Sequence, residues 1–198
     1  MRPEAHTRAA YVAAFRELVA RIAASLADVP KRARPIRMFV AGGAALHFYT
    51  GDRVSLDVDA VFSRRIVLPE NLEVAYQDAD GAPRLLYFDR QYNDTLGLLH
   101  EDARADSRPL SLPGIDAKLL DVRLLAPVDL AVSKLARHTD QDRADIVSLG
   151  RHGLLDASAV RRRATESVAG YIGHVDRLQQ TIERVTQLVA AEQPRRRR

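Results

Sequence analysis

The sequence has no cysteine and no tryptophan, and only three lysines, Lys31, Lys118 and Lys134. Without cysteine there can be no disulfide, no thiolate metal site and no thiol nucleophile. No apolar run approaches the ~20 residues that span a bilayer. The start also lacks the charged-then-apolar pattern of a secretory signal. The expectation is therefore a soluble, cytoplasmic chain without membrane contact. His-x-x-x-His and Glu-x-x-His spacings do not occur, which removes the usual zinc readings. Gly-x-x-x-x-Gly-Lys and Gly-x-Ser-x-Gly are also missing, and with them the phosphate-loop NTPase and the serine-hydrolase elbow.

What is present suits a globular protein. The 198 residues are 46% hydrophobic and 28% charged, enough for one domain, or one domain with a helical extension, around a real core. The formal charge is +4, supplied mostly by arginine, and leans towards polyanionic partners. Part of it is the run Arg195–Arg198, which reads as a solvated end.

Along the chain, residues 4–27 carry Tyr11, Phe15, Leu18, Val19, Ile22 and Leu26 at helical spacing. A basic linker, Lys31-Arg-Ala-Arg34, lies between Pro30 and Pro35. Residues 36–40 read as a buried strand ended by Gly42-Gly43, with a short helix from Ala44 to Tyr49. A second strand is expected over 54–63, then further strands over 84–89, 96–100 and around 119–125. From Pro127, well placed to open a helix, the pattern becomes helical. Asp140 or Asp142 caps one helix, Asp156 opens another, and 168–191 forms a long last helix with Ile172, Val175, Leu178, Ile182, Val185 and Leu188 on one side. The expected class is α+β: a mixed sheet flanked by helices, with a helical final third. The expected divisions are an N-terminal helix and linker (1–35), a core (36–150) and C-terminal helices with a basic tail (151–198).

Two stretches carry chemistry. The apolar run into Gly42-Gly43 removes side chains where the backbone must turn and approach a ligand, and the helix that follows aims its positive end at that turn. In the next strand, side chains alternate between faces, so Asp57 and Asp59 share a face while Leu56, Val58, Ala60 and Phe62 share the buried one. Two adjacent carboxylates repel each other. They suit either a solvated face or a cation such as Mg²⁺, which takes one or two carboxylates plus substrate phosphates.

Gly42-Gly43, a short helix and Arg53-x-Ser55-x-Asp57-Val-Asp59 together resemble the signature of the nucleotidyltransferase superfamily. The chain is similar in particular to the abortive-infection (AbiEii-type) nucleotidyltransferase toxins and an uncharacterised bacterial sister family. Pro127-Val-Asp-Leu-Ala-Val-Ser-Lys134-Leu-Ala-Arg137, followed by Asp142-Arg-Ala-Asp145, resembles their lysine-bearing helix and later acidic turn. The likeness runs from about residue 36 to 149 and implies a nucleotidyltransferase-like fold. It implies that Gly42 and Gly43 wrap the phosphates of an NTP, and that Arg53 and Ser55 belong to the nucleotide site. Asp57 and Asp59 would ligate Mg²⁺ or Mn²⁺. Lys134 would reach the triphosphate, with Asp142 or Asp145 orienting it. A third carboxylate, the usual base, has three candidates in Asp102, Asp94 and Asp121, with Asp102 preferred.

The leading functional expectation is transfer of NMP from an NTP to an acceptor hydroxyl. The resemblance suggests a tRNA 3′ end, with a protein acceptor as the other option, and a toxin paired with a cognate antitoxin. Arg161–Arg163 offer contacts for RNA phosphates. The alternatives are a non-catalytic nucleotide- or RNA-binding partner that keeps the fold, and a basic structural or homodimeric protein.

Overall fold

The computed structural model describes residues 6–94 and 97–192. The run Arg195–Arg198 lies outside the described residues. The chain divides into two compact units, Met1–Tyr92 with Ser107–Leu124, and Asn93–Asp106 with Leu125–Arg198.

In the first unit, the apolar stripe of the first helix, α1 (Ala9–Ser25), buries Tyr11, Phe15, Leu18, Val19 and Ile22. The first strand, β1 (Ile36–Val40), is buried at every position except Arg37, as expected of a central strand whose two faces are both covered. Helix α2 (Gly42–Thr50) follows at once, and its residues from Gly43 onward are buried. The Phe48 ring meets Phe15 edge-on at 4.9 Å, a geometry that adds about 0.5–1.5 kcal/mol beyond area burial.

Five further extended segments belong to this unit: β2 (Asp57–Val58), β3 (Ala60–Phe62), β4 (Glu73–Gln77), β5 (Pro83–Phe88) and β6 (Arg108–Pro109). With β7 (Leu120–Leu124) they form two sheets, ordered β3-β1-β7-β6 and β2-β5-β4. β1 runs parallel to β7, with Arg37 opposite Asp121 and Phe39 opposite Arg123. It runs antiparallel to β3, with Val40 opposite Ala60.

The second unit is helical. Pro127 is the first residue of α3 (Pro127–Ser133). α4 (Asp140–Arg151) opens with a reciprocal capping box between Thr139 and Asp142, which satisfies two otherwise orphaned donors. Asp156 caps α5 (Ala157–Ser167) by accepting from the Ala159 N–H at 2.8 Å. α6 (Val175–Glu192) buries Leu178, Ile182, Val185 and Val189 along one stripe.

The α+β class is the one expected, but several elements differ. The strand anticipated over 54–63 is two short strands in different sheets, divided at Asp59. Leu56, expected in the core, is 56% exposed because it precedes the sheet. β4 went unrecognised, since Glu73 and Gln77 on its open face mask the alternation. Residues 97–100 form no strand and lead into a short 3-10 turn, Glu101–Ala103; Leu96 lies outside the described residues. The last helix is interrupted over 171–174. Ile172 falls in that break and is 91% exposed, because Gly170 and Gly173 flank it and weaken helix propensity.

His47 is fully buried and structural. Its Nδ1 lies 2.8 Å from the Arg53 carbonyl, and its Nε2 accepts the Arg8 backbone N–H at 3.1 Å. An Nε2 that accepts leaves Nδ1 as the donor, which selects the neutral tautomer. Burial, followed by the charge of Arg8, holds its pKa below the ordinary 6.5, against the pull of the Arg53 carbonyl. A depressed histidine pKa gives stability that is complete above pH 6.5 and is lost as pH falls towards the folded-state value. Urea unfolding of wild type and His47→Gln at pH 8 and pH 5.5 checks this: only the wild type loses stability through this residue.

Candidate functional site

The glycine turn at the start of α2 is where the expected residues of the first unit meet. Gly42 has φ +55°, a left-handed conformation, and a Cβ built on it would lie 1.9 Å from Asp59 Oδ2. A Cβ on Gly43 would lie 2.6 Å from Ser55 Oγ and 2.9 Å from Arg53 Nη1. Glycine is required at both positions because carboxylate, hydroxyl and guanidinium occupy the space a side chain would fill. The Ala41 N–H donates to the Asp59 carbonyl at 2.8 Å, which fixes Asp59 at the level of the turn.

Asp57 joins this group through Ser55, whose hydroxyl donates to Asp57 Oδ1 at 2.5 Å. The division between β2 and β3 does not separate the two carboxylates. Adjacent glycines receive Asp59 on one side and the Ser55–Asp57 pair on the other. Gly42, Gly43, Arg53, Ser55, Asp57 and Asp59 are thus brought together, with Asp57 and Asp59 half-buried. Ser55→Ala removes the brace on Asp57. The expected cost is about 1 kcal/mol of stability, read from the melting temperature.

Tyr11 belongs beside this group and was not expected, since its place on the apolar stripe of α1 marks it only as core. It is fully buried, with the Ser55 backbone beside its hydroxyl. Burial raises its pKa strongly, with further increments from Tyr76 and Asp57, so the phenol stays protonated. Nothing in its spacing distinguishes it from the other stripe residues.

Of the candidates for a third acid, Asp121 lies at the other end of the sheet. It pairs with Arg37 on β1, whereas Asp59 bonds to Ala41. Four residues of strand separate these levels by about 13 Å. Arg123 Nη1 lies 3.2 Å from the Asp121 carboxylate. Asp94 and Asp102 belong to the second unit. Asp94 is held by Arg104 at 2.8 Å. Asp102 has an exposed carboxylate 3.9 Å from His100 Nδ1. Among the described residues no three acidic or imidazole groups gather as a metal cluster.

In the second unit, Lys134 ends α3 and is 6% exposed. Its Nζ lies 2.7 Å from Asp145 and 3.5 Å from Asp142. Asp142 is also gripped by Arg137 Nε at 2.8 Å and Nη2 at 2.7 Å, and accepts from the Thr139 N–H at 3.0 Å and hydroxyl at 2.8 Å. Burial alone would raise the pKa of Asp142. The Arg137 and Thr139 hydrogen bonds and the Lys134 charge overcome it and hold the pKa far below the carboxylate range. The three residues expected to act together, Lys134, Asp142 and Asp145, do meet, as a buried charge network tying α3 to α4.

The arginines offered for RNA are partly committed. Arg163 grips Asp129 at 2.8 Å and Asp106 at 2.7 Å, and Arg161 pairs with Glu183 at 2.7 Å.

The model of a family described as a nucleotidyltransferase of unknown function (DUF6036) matches residues 17–187. The chain belongs to this family. The match takes in both stretches singled out above, the glycine turn with its carboxylates and the Lys134 network. Membership in this nucleotidyltransferase family makes a nucleotide the expected substrate and transfer the expected class of reaction. No curated protein and no solved structure gives a significant match. No helix among the described residues is long and apolar enough to cross a membrane.

Proposed function

We propose that the protein moves an NMP from an NTP to an acceptor hydroxyl, using the glycine turn and its two carboxylates. The observation that carries this reading is the place of Asp59, whose Oδ2 fills the position a Cβ on Gly42 would take, with Asp57 held beside it by Ser55. Such a turn at a helix start suits phosphates. Two half-buried carboxylates against it fit Mg²⁺ or Mn²⁺, which accept one or two carboxylates with phosphate oxygens as the remaining ligands. When bound, the metal would neutralise charge on the phosphates and the leaving group. Gly42 and Gly43 would let the triphosphate approach the backbone, Arg53 would add positive charge, and Ser55 would keep Asp57 aimed at the turn.

Phosphoryl transfer asks mainly for positioning and charge compensation, and this group supplies both. Lys134 is accounted for by Asp142 and Asp145 without a nucleotide, so the proposal rests on the first unit alone. A tRNA 3′ end is the favoured acceptor, a protein hydroxyl the other, and a toxin restrained by an antitoxin the setting that the AbiEii resemblance suggests.

One observation favours a second reading, a non-catalytic nucleotide- or RNA-binding partner: no third carboxylate joins Asp57 and Asp59 among the described residues. Incubation with ATP labelled at the α- or the γ-phosphate, Mg²⁺ and cellular RNA separates the two. Transfer of the α-label alone to RNA supports the enzyme. Nucleotide binding without any transfer supports the partner.

A further inference from the structure

At the end of β1 away from the glycine turn, three segments bring cations to one edge of the first unit. The Arg37 N–H donates to Ser63 Oγ at 3.0 Å, and the Ser63 N–H returns to the Arg37 carbonyl at 2.9 Å. Arg64 and Arg65 therefore leave β3 beside the start of β1. The Ile36 N–H donates to the Leu119 carbonyl at 3.0 Å, which sets Lys118 on the opposite flank. The turn Lys31–Ala33 leads directly into Ile36.

Lys31, Arg32, Arg64, Arg65 and Lys118 are exposed, and none makes an ion pair among the described residues. Arg37 is also exposed, 3.9 Å from Asp121, whose nearer partner is Arg123 at 3.2 Å. The carboxylates in or next to these segments are Asp28, Asp116 and Asp121. Asp116 accepts from the backbone N–H of Lys118 at 2.9 Å.

We propose that this edge docks the phosphate backbone of a duplex RNA while the RNA's 3′ end reaches the glycine turn. Backbone pairing of β3, β1 and β7 brings the ends of these strands together, and the cations lie in the short turns that flank them. Unneutralised cations clustered on one face repel each other and favour a polyanion, whose condensed counterions are released on binding. No aromatic residue occurs in the segments 31–37, 63–67 or 116–119. Recognition of single strands relies on stacking platforms, and a patch without them reads backbone and shape, the mode suited to duplex RNA. Arg37 and Ala41 lie about 13 Å apart along β1, a span that a polynucleotide covers.

The inference takes from the function proposed above only the choice of an RNA with a free 3′ end. Binding is measured without NTP, so a failure of catalysis leaves it standing. The test uses the full-length chain and a labelled RNA hairpin with a short 3′ overhang, titrated at several salt concentrations. The triple variant Arg32→Glu, Arg64→Glu, Arg65→Glu is compared with wild type, and Arg64→Gln with Arg65→Gln serves if charge reversal impairs folding. The expected result is a Kd raised at least about tenfold, and a slope of log K against log salt shallower by about 3 for the triple variant or about 2 for the glutamine pair, with Mg·ATP affinity unchanged. Wild-type affinity and slope in the variants would overturn the proposal. So would loss of all RNA binding on changing Arg195–Arg198 to serine. Loss of binding to phosphatidylserine vesicles, with RNA binding intact, would assign the edge to a membrane surface instead.

Discussion

Gly42→Ala is expected to cut nucleotidyl transfer by about 100-fold or more while leaving a folded protein. The added Cβ meets Asp59 Oδ2 at 1.9 Å, far inside contact distance, so either the carboxylate rotates away or the turn shifts. The φ of +55° adds about 1–2 kcal/mol of backbone strain for any residue with a Cβ. The carboxylate is the short end of a side chain and can yield, which limits the cost in stability. Activity cannot yield in the same way, since displacing a positioned group by about 1 Å costs on the order of 100-fold. Label transfer and a melting curve on the same preparation separate the two. A variant with normal transfer would show that Asp59 does not need its place against the turn.

Lys134→Met is expected to produce the larger loss of stability, about 3–5 kcal/mol. The ammonium is buried, and its removal takes from the buried Asp145 carboxylate its cation at 2.7 Å, while Gln141 still donates at 2.8 Å. Asp142 keeps Arg137 and Thr139, so the penalty falls mainly on Asp145. For a chain of this size the melting temperature should drop by roughly 10 °C. Adding Asp145→Leu removes the carboxylate that has lost its cation and should restore most of the loss, because an apolar replacement of both partners is often neutral.

The network also makes an acid-side prediction. A depressed carboxylate pKa stabilises above the unfolded-state value of 3.8 and is lost as pH falls below it. Asp142→Asn should therefore be less stable than wild type at pH 7, with the gap narrowing below pH 4. If ATP binding, rather than stability, is what Lys134→Met alters, the lysine serves the nucleotide and not the fold.

Much of the site was legible because its constraints are local. Two glycines after an apolar strand and carboxylates one residue apart carry their chemistry in spacing alone, and Arg53 and Ser55 fall between them. The division of the strand at Asp59 was not legible. It arises because Asp57 and Val58 pair with β5 while Ala60–Phe62 pair with β1, a choice between two sheets that no alternation pattern encodes. Tyr11 was missed for a related reason. A buried phenol on a helix stripe has the same period as its apolar neighbours, and only the packing sets it beside Asp57. The helical third was readable from Pro127, Asp156 and the stripe of α6, whereas the break at 171–174 rests on two glycines spaced around one exposed isoleucine.

The central claim is that Asp57 and Asp59 bind a nucleotide through a divalent metal at the glycine turn. Its most direct test is calorimetric titration of a non-hydrolysable ATP analogue, with and without Mg²⁺, into wild type and the Asp57→Asn, Asp59→Asn double variant. Asparagine keeps shape and removes charge, so the fold should persist. The account predicts Mg²⁺-dependent binding by the wild type and at least a tenfold loss in the variant, equivalent to about 1.4 kcal/mol. Equal affinity in the two proteins, or binding indifferent to Mg²⁺, would contradict it.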